Sequence, residues 1–243
     1  MSDIKTCARV ASALFCVAAA ACGSAEAGTP DYKAVRIPET HVVNGDYRDK
    51  AWINAPEITM RLSTTGKPAA KTTRVKMGWD DKYIYFVFYC EDEEIYATMT
   101  ERDDHIFDEE VVEMFIAPHG LKDYFEINVS PINVIFDSHI FYGKDAVEKG
   151  DVDWNCAGIK TAVVVEGKVN DPSVIDKYWM AEVAVPFESI GMETPKKGDS
   201  IRGNVYRIDH RPKPDEYQAW SPTMRDPAAF HVPGKFGKIV FSD

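Results

Sequence analysis

The clearest regularity in the chain is alternation. Thr73, Val75 and Met77 are separated by Arg74 and Lys76, Asp80-Asp81 marks a turn, and Tyr83 to Tyr89 follows as a nearly continuous apolar run. Alternation that ends in a turn and is answered by an apolar stretch predicts a hairpin with one buried strand. Strands are predicted likewise over 111–116, 124–129, 134–140, 159–165, 178–185, 200–208 and 237–241, where β-branched and aromatic residues run between loops rich in Gly, Pro and Asp. Helical candidates are limited to two short stretches, 46–52 and 186–190. About ten short strands without intervening helices predict an all-β fold, a two-sheet antiparallel sandwich of jelly-roll type. No internal repeat, low-complexity tract or heptad pattern interrupts it.

The first 27 residues break this pattern. A short charged stretch (Lys5, Arg9) leads into an apolar segment from Val10 to Ala21 and then into small residues, the layout of a secretory signal peptide. The apolar run of about a dozen residues is shorter than the roughly 20 that span a bilayer. Two cleavage readings stand side by side. Ala25-Glu26-Ala27 suits ordinary signal peptidase, whereas Ala20-Ala21-Cys22-Gly23-Ser24 resembles an imperfect lipoprotein box, with the signal ending at 21. Residues 28–243 are then one domain of an exported protein, periplasmic, secreted or lipid-anchored at a bacterial envelope, with no transmembrane span.

Asp3 and Glu26 cancel Lys5 and Arg9, so residues 28–243 keep the formal charge of −11 of the whole chain. That surface makes nucleic acid a poor partner. Of five cysteines, only Cys90 and Cys156 fall in the domain. They are read either as a disulfide, in an oxidising compartment, or as buried free thiols, since Cys90 ends an apolar strand.

Catalytic signatures are absent: there is no phosphate-binding glycine loop, no G-x-S-x-G elbow and no H-E-x-x-H pair. Carboxylates are plentiful, as in Asp108-Glu109-Glu110, and two at the right separation would serve a glycoside hydrolase. The histidines are scattered, and none forms a short-spaced ligand pair. A haem-carrying redox domain is a further alternative, with Met224 and His231 or His210 as axial ligands. One carboxylate is distinctive: Glu113 lies in the apolar strand Val111-Val112-Glu113-Met114-Phe115, where an unpaired charge is costly, so it needs a ligand or an ion-pair partner such as Arg207. Trp52, Trp79 and Trp179 sit in or beside apolar patterns and are read as core.

A set of phrases recurs in fixed order. Asn44-Gly45-Asp46, Ala51-Trp52 and Met77-Gly78-Trp79-Asp80-Asp81-Lys82-Tyr83-Ile84-Tyr85 come first. Phe107-Asp108-Glu109-Glu110-Val111-Val112-Glu113-Met114-Phe115 and Tyr124-Phe125-Glu126-Ile127-Asn128-Val129 follow, then Trp179-Met180-Ala181-Glu182-Val183, Gly203-Asn204-Val205-Tyr206-Arg207, Trp220-Ser221-Pro222 and Phe236-Gly237. In this order they resemble the carbohydrate-binding module family 9 superfamily, from about residue 40 to the end.

The resemblance implies a non-catalytic sandwich that binds a mono- or oligosaccharide or the end of a polysaccharide chain, accessory to polysaccharide breakdown and associated with glycoside hydrolases. Family members hold a terminal sugar between two aromatic rings. Those positions fall on Phe107 and Phe230, where sugar binders usually carry tryptophan. The sugar-gripping glutamate falls on Glu113, with Asn128 and Tyr206 as further polar positions, and Glu126 replaces an arginine. Phe107 and Phe230 are expected to face each other across an open slot floored by Glu113. Arg207 and Trp220 join the candidates because the segment from Tyr206 to His231 gathers aromatic and basic groups. Structural calcium is the one cofactor the family suggests, and Asn44-Gly45-Asp46 and Asp151-Val152-Asp153 offer oxygen ligands for it.

Overall fold

Alternating burial shapes the described part of the chain, which in this computed structural model comprises residues 28–142, 148–211 and 213–243. Among these residues the strands are β1 (Asp31–Arg36), β2 (Ile58–Thr59), β3 (Arg61–Leu62), β4 (Thr73–Trp79), β5 (Tyr83–Glu91), β6 (Val111–Ala117) and β7 (Asp123–Val129). They continue with β8 (Ile135–Tyr142), β9 (Glu148–Asp151), β10 (Lys160–Glu166), β11 (Tyr178–Pro186), β12 (Ser200–Asp209), β13 (Glu216–Ala219) and β14 (Gly237–Phe241). The predicted signal segment lies outside the described residues.

Two sheets result. One runs β10-β11-β5-β4, with β2 beside β4, and the other runs β14-β12-β6-β7-β8-β9, with β13 and β3 beyond β12. β1 joins them: Asp31 to Ala34 pair in parallel with β14, while Val35 and Arg36 pair in parallel with β4. The remaining pairings are antiparallel, as predicted.

The inner faces meet in one apolar interior. Met77, Phe86, Phe88, Trp179 and Val183 come from the first sheet, and Val112, Met114, Ile127 and Val205 from the second. Each sheet also buries part of its outer face. Trp52, Tyr85, Val87 and Met180 form a second cluster under residues 37–57, and Phe115, Tyr124, Phe136, Tyr206 and Phe230 form a third on the opposite side of the molecule. β6 is therefore buried along its whole length, which explains why it reads as apolar apart from Glu113.

Sequence patterning missed β1, β2, β3, β9 and β13. β2 and β3 are two residues long, too short to show alternation, and β9 (Glu-Lys-Gly-Asp) and β13 (Glu-Tyr-Gln-Ala) are polar segments held by pairing with stronger neighbours. The two helical candidates contract to single 3-10 turns, Lys50–Trp52 and Glu188–Ile190. Gly191 closes the second with φ of 67°, a left-handed conformation that glycine adopts without strain. Cys90 and Cys156 are buried free thiols, so the disulfide alternative falls; the Cys156 sulfur lies 3.1 Å from Ser189 Oγ.

Candidate functional site

Register places the polar candidates in one transverse row. On the outer face of the second sheet, Tyr206 of β12 pairs with Glu113 of β6, Glu113 with Asn128 of β7, and Asn128 with Phe136 of β8. Three strand spacings make this row about 14 Å long. Glu126 lies two residues along β7 on the same face and pairs with Phe115 and Ser138.

A cavity of about 510 Å³ opens on this face; Glu113 and Phe136 of the row line it, whereas Tyr206 and Asn128 are fully buried and do not. Glu113 and Glu126 lie in its lining, with Phe107 and Phe136, and with Tyr217, Phe230 and His231. Phe107 is presented by the turn Ile106–Asp108, which is anchored by fully buried Ile106 and by Glu109, whose carboxylate accepts from the amide of Thr98 at 2.6 Å. Its ring stacks on His105 at 5.0 Å and meets Phe136 edge-on at 5.1 Å. Phe230 is held differently. Its ring stacks on Tyr206 at 4.1 Å and 10°, and its carbonyl accepts from the Tyr206 hydroxyl at 2.9 Å. Phe107 and Phe230 thus belong to separate aromatic groups lining one cavity.

The carboxyls differ in their partners. Glu126 accepts from the Asn128 amide at 2.9 Å, and its other oxygen lies 3.9 Å from His231 Nε2. Glu113 is 2 % exposed and receives no hydrogen bond from the described residues. Burial, and then the like charge of Glu126, push its pKa well above the usual carboxylate range. The Tyr206 hydroxyl is raised as well, chiefly by burial.

Arg207 and Trp220 stand elsewhere. Arg207 follows Tyr206, so alternation turns it to the inner face, where it cannot be the partner of Glu113. Fully buried, it binds Asp92 at 2.7 Å, Asp209 at 3.1 Å, the Glu91 carbonyl at 2.8 Å and Thr73 at 3.2 Å. Trp220 covers Gly237 and meets Tyr32 edge-on at 6.2 Å, so it is a packing residue. Phe136 and Ile208 were missed by sequence reasoning because their strands already explain them as alternating apolar positions.

The best-formed group of metal-ligand atoms is Asp92, Glu110 and Asp209, with carboxylate oxygens within 4.8 Å of one another. Arg207 and Lys71, the latter 2.7 Å from Asp209, already balance the two aspartates. Burial and then Asp92 push the Glu110 pKa up to about 10. Both aspartates already have cationic partners, which makes the cluster a poor fit for the calcium the family suggests. In the two loops proposed for calcium, Asn44 Oδ1 and Asp151 Oδ1 accept backbone amides of their own turns. Met224 is absent from the lining that includes His231, so the described cavity offers no His–Met pair for haem.

A two-sheet sandwich with an aromatic cavity on one outer face has the build of a small-ligand binding module. Residues 61–241 match the family model for carbohydrate-binding family 9, and the chain belongs to that family. It is 28 % identical over 230 residues to an "Extracellular protein" of Arthroderma benhamiae, covering 92 % of this chain and 96 % of the relative. A second relative, the endo-1,4-beta-xylanase A of Thermoanaerobacterium saccharolyticum, is 26 % identical over 69 % of this chain, which spans only 12 % of that enzyme's length. The fold is shared with a family 9 module from Caldicellulosiruptor kristjanssonii solved with cellotriose, at a TM-score of 0.55 and 15 % identity over 87 % of this chain and 93 % of that one.

Proposed function

We propose that the protein is an exported, non-catalytic carbohydrate-binding protein whose cavity beside Glu113 and Glu126 takes a sugar ring, as a free mono- or oligosaccharide or as a polysaccharide chain end. The observation that carries this reading is Glu113, a buried carboxyl facing an aromatic-lined cavity with no hydrogen-bond partner among the described residues. Vicinal hydroxyls supply the missing donors, and flat aromatic walls suit the C–H faces of a pyranose. The non-catalytic reading is supported by the match to a carbohydrate-binding family. Export is supported by the pattern of the first 27 residues and by a relative named as extracellular. An accessory role in polysaccharide breakdown is supported by the match to part of a xylanase.

Titration calorimetry with mono-, oligo- and polysaccharides tests the reading. Binding that Glu113→Gln weakens is expected, and no heat with any saccharide at millimolar concentration would overturn it.

A further inference from the structure

The cavity presents two carboxyls on one face. Residues paired across neighbouring strands and offset by two stand about 7 Å apart or less, so Glu113 and Glu126 are diagonal neighbours. Glu126 is engaged by Asn128 and His231, while Glu113 has no hydrogen-bond partner among the described residues. His231 is the only side chain in the described lining that can carry positive charge. Its Nδ1 shares a hydrogen bond of 2.7 Å with the Tyr124 hydroxyl. The other polar groups of the row are neutral: the Tyr206 hydroxyl donates to Phe230, and Asn128 Nδ2 donates to Glu126.

A neutral sugar hydroxyl offers Glu113 one hydrogen bond and no opposite charge. A primary ammonium offers up to three donors and cancels one negative charge. The rings of Phe107, Phe136, Tyr217 and Phe230, which line the same cavity, also attract a cation to their faces.

Resting on the reading of this cavity as a sugar site, we propose that its preferred ligand is an amino sugar of the glucosamine type, free or at the end of a deacetylated amino-polysaccharide, with the ammonium set against Glu113. N-Acetylation removes the charge and adds bulk, so the acetylated sugar is a weaker ligand. Burial and Glu126 raise the Glu113 pKa, so the preference fades as pH falls.

Calorimetry of the full chain with glucosamine, glucose, N-acetylglucosamine and deacetylated chitin oligomers at pH 5 and 7 tests this. Glucosamine should bind about tenfold more tightly than glucose at pH 7, the scale of one charge-assisted hydrogen bond. That ratio should shrink at pH 5 and fall within about twofold in Glu113→Gln. Tighter binding of the oligomers than of glucosamine would identify the chain end as the ligand's source, and the reverse would identify the free sugar. Equal affinity of wild type for glucosamine and glucose at pH 7 overturns the amino-sugar preference and leaves the sugar site standing. Absence of binding by all four ligands overturns the sugar site itself. Should Glu113→Gln fail to fold, the pH dependence of the wild-type ratio decides alone, and a ratio unchanged between pH 5 and 7 overturns the proposal.

Discussion

The two outer faces of the sandwich both bury glutamate in an apolar strand, Glu182 on one and Glu113, with Glu126 beside it, on the other, and they treat it in opposite ways. Glu182 on β11 lies under residues 37–57 and accepts from His41 at 2.6 Å, Trp52 Nε1 at 3.1 Å, and the amides of Asn44 and Gly45 at 2.8 and 3.1 Å. Glu113 on β6 faces a cavity and has no such donors among the described residues. Both positions have the same sequence pattern, Val-Glu-Met in one strand and Ala-Glu-Val in the other. The first carboxyl is a clamp that fastens a covering segment to its sheet. The second has no donor among the described residues, and a buried acceptor without a donor is costly until something supplies one.

The largest effect expected from this contrast is on stability. Glu182→Ala strands four donors in a buried setting and should lower the unfolding free energy by about 3 kcal/mol or more, measured by urea denaturation. Glu113→Gln should leave it within about 0.5 kcal/mol or raise it, because a carboxyl destabilised by burial becomes neutral. Equal losses at both positions would erase the distinction.

The two sites were unequally legible. Alternation located β4 to β8, β10 to β12 and β14 to within about two residues, because these strands contribute to the packed interior and carry its pattern. Glu113 stood out as a charge in an apolar strand, yet Glu182 has the same signature and its role depends on donors 130 to 141 residues away in sequence. Arg207 shows the limit most plainly. Its proximity to Tyr206 in the chain suggested a shared site, while the two-residue period of a strand sends it to the other side of the sheet. The partners of a lone polar residue are long-range facts that local pattern does not encode.

Phe230 sharpens the comparison within the cavity face. Its ring is 7 % exposed and stacked on Tyr206, so Phe230→Ala opens a void between β12 and the 228–231 loop as well as removing a cavity wall. A loss of about 2 to 3 kcal/mol in unfolding free energy is expected alongside weaker sugar binding. Unchanged stability would mean that the ring serves the ligand alone.

The faces should also separate by pH. His41, its side chain 3 % exposed, has a pKa raised chiefly by its hydrogen bond to Glu182. Folding favours its protonated form, so its stabilisation is present in full below about 6.5 and is lost as pH rises through the folded value. Glu113 is also raised, so its contribution likewise falls with rising pH, but the decline begins above 4.5, the ordinary glutamate value. Unfolding free energies from pH 5.5 to 8.5 should therefore fall by about 1 kcal/mol more in wild type than in His41→Gln, after allowing for screening. Glu113→Gln should instead flatten the profile from 4.5 upward. A profile that neither substitution alters would contradict both assignments.

The smallest expected effect belongs to Phe107, which makes it the cleanest probe of binding. It sits at the rim on a 3-10 turn fixed from outside by Ile106 and Glu109, so the turn keeps its place when the ring is removed. The ring is only half-buried, and its packing partners are His105 and Phe136. Phe107→Ala should leave the unfolding midpoint nearly unchanged while weakening sugar binding by about 1 kcal/mol, the scale of one aromatic contact. Calorimetry paired with thermal melts separates the two readouts. If affinity holds and the melting temperature falls instead, Phe107 is a packing residue like Phe230, and the sugar's second wall must be sought at Phe136 or Tyr217.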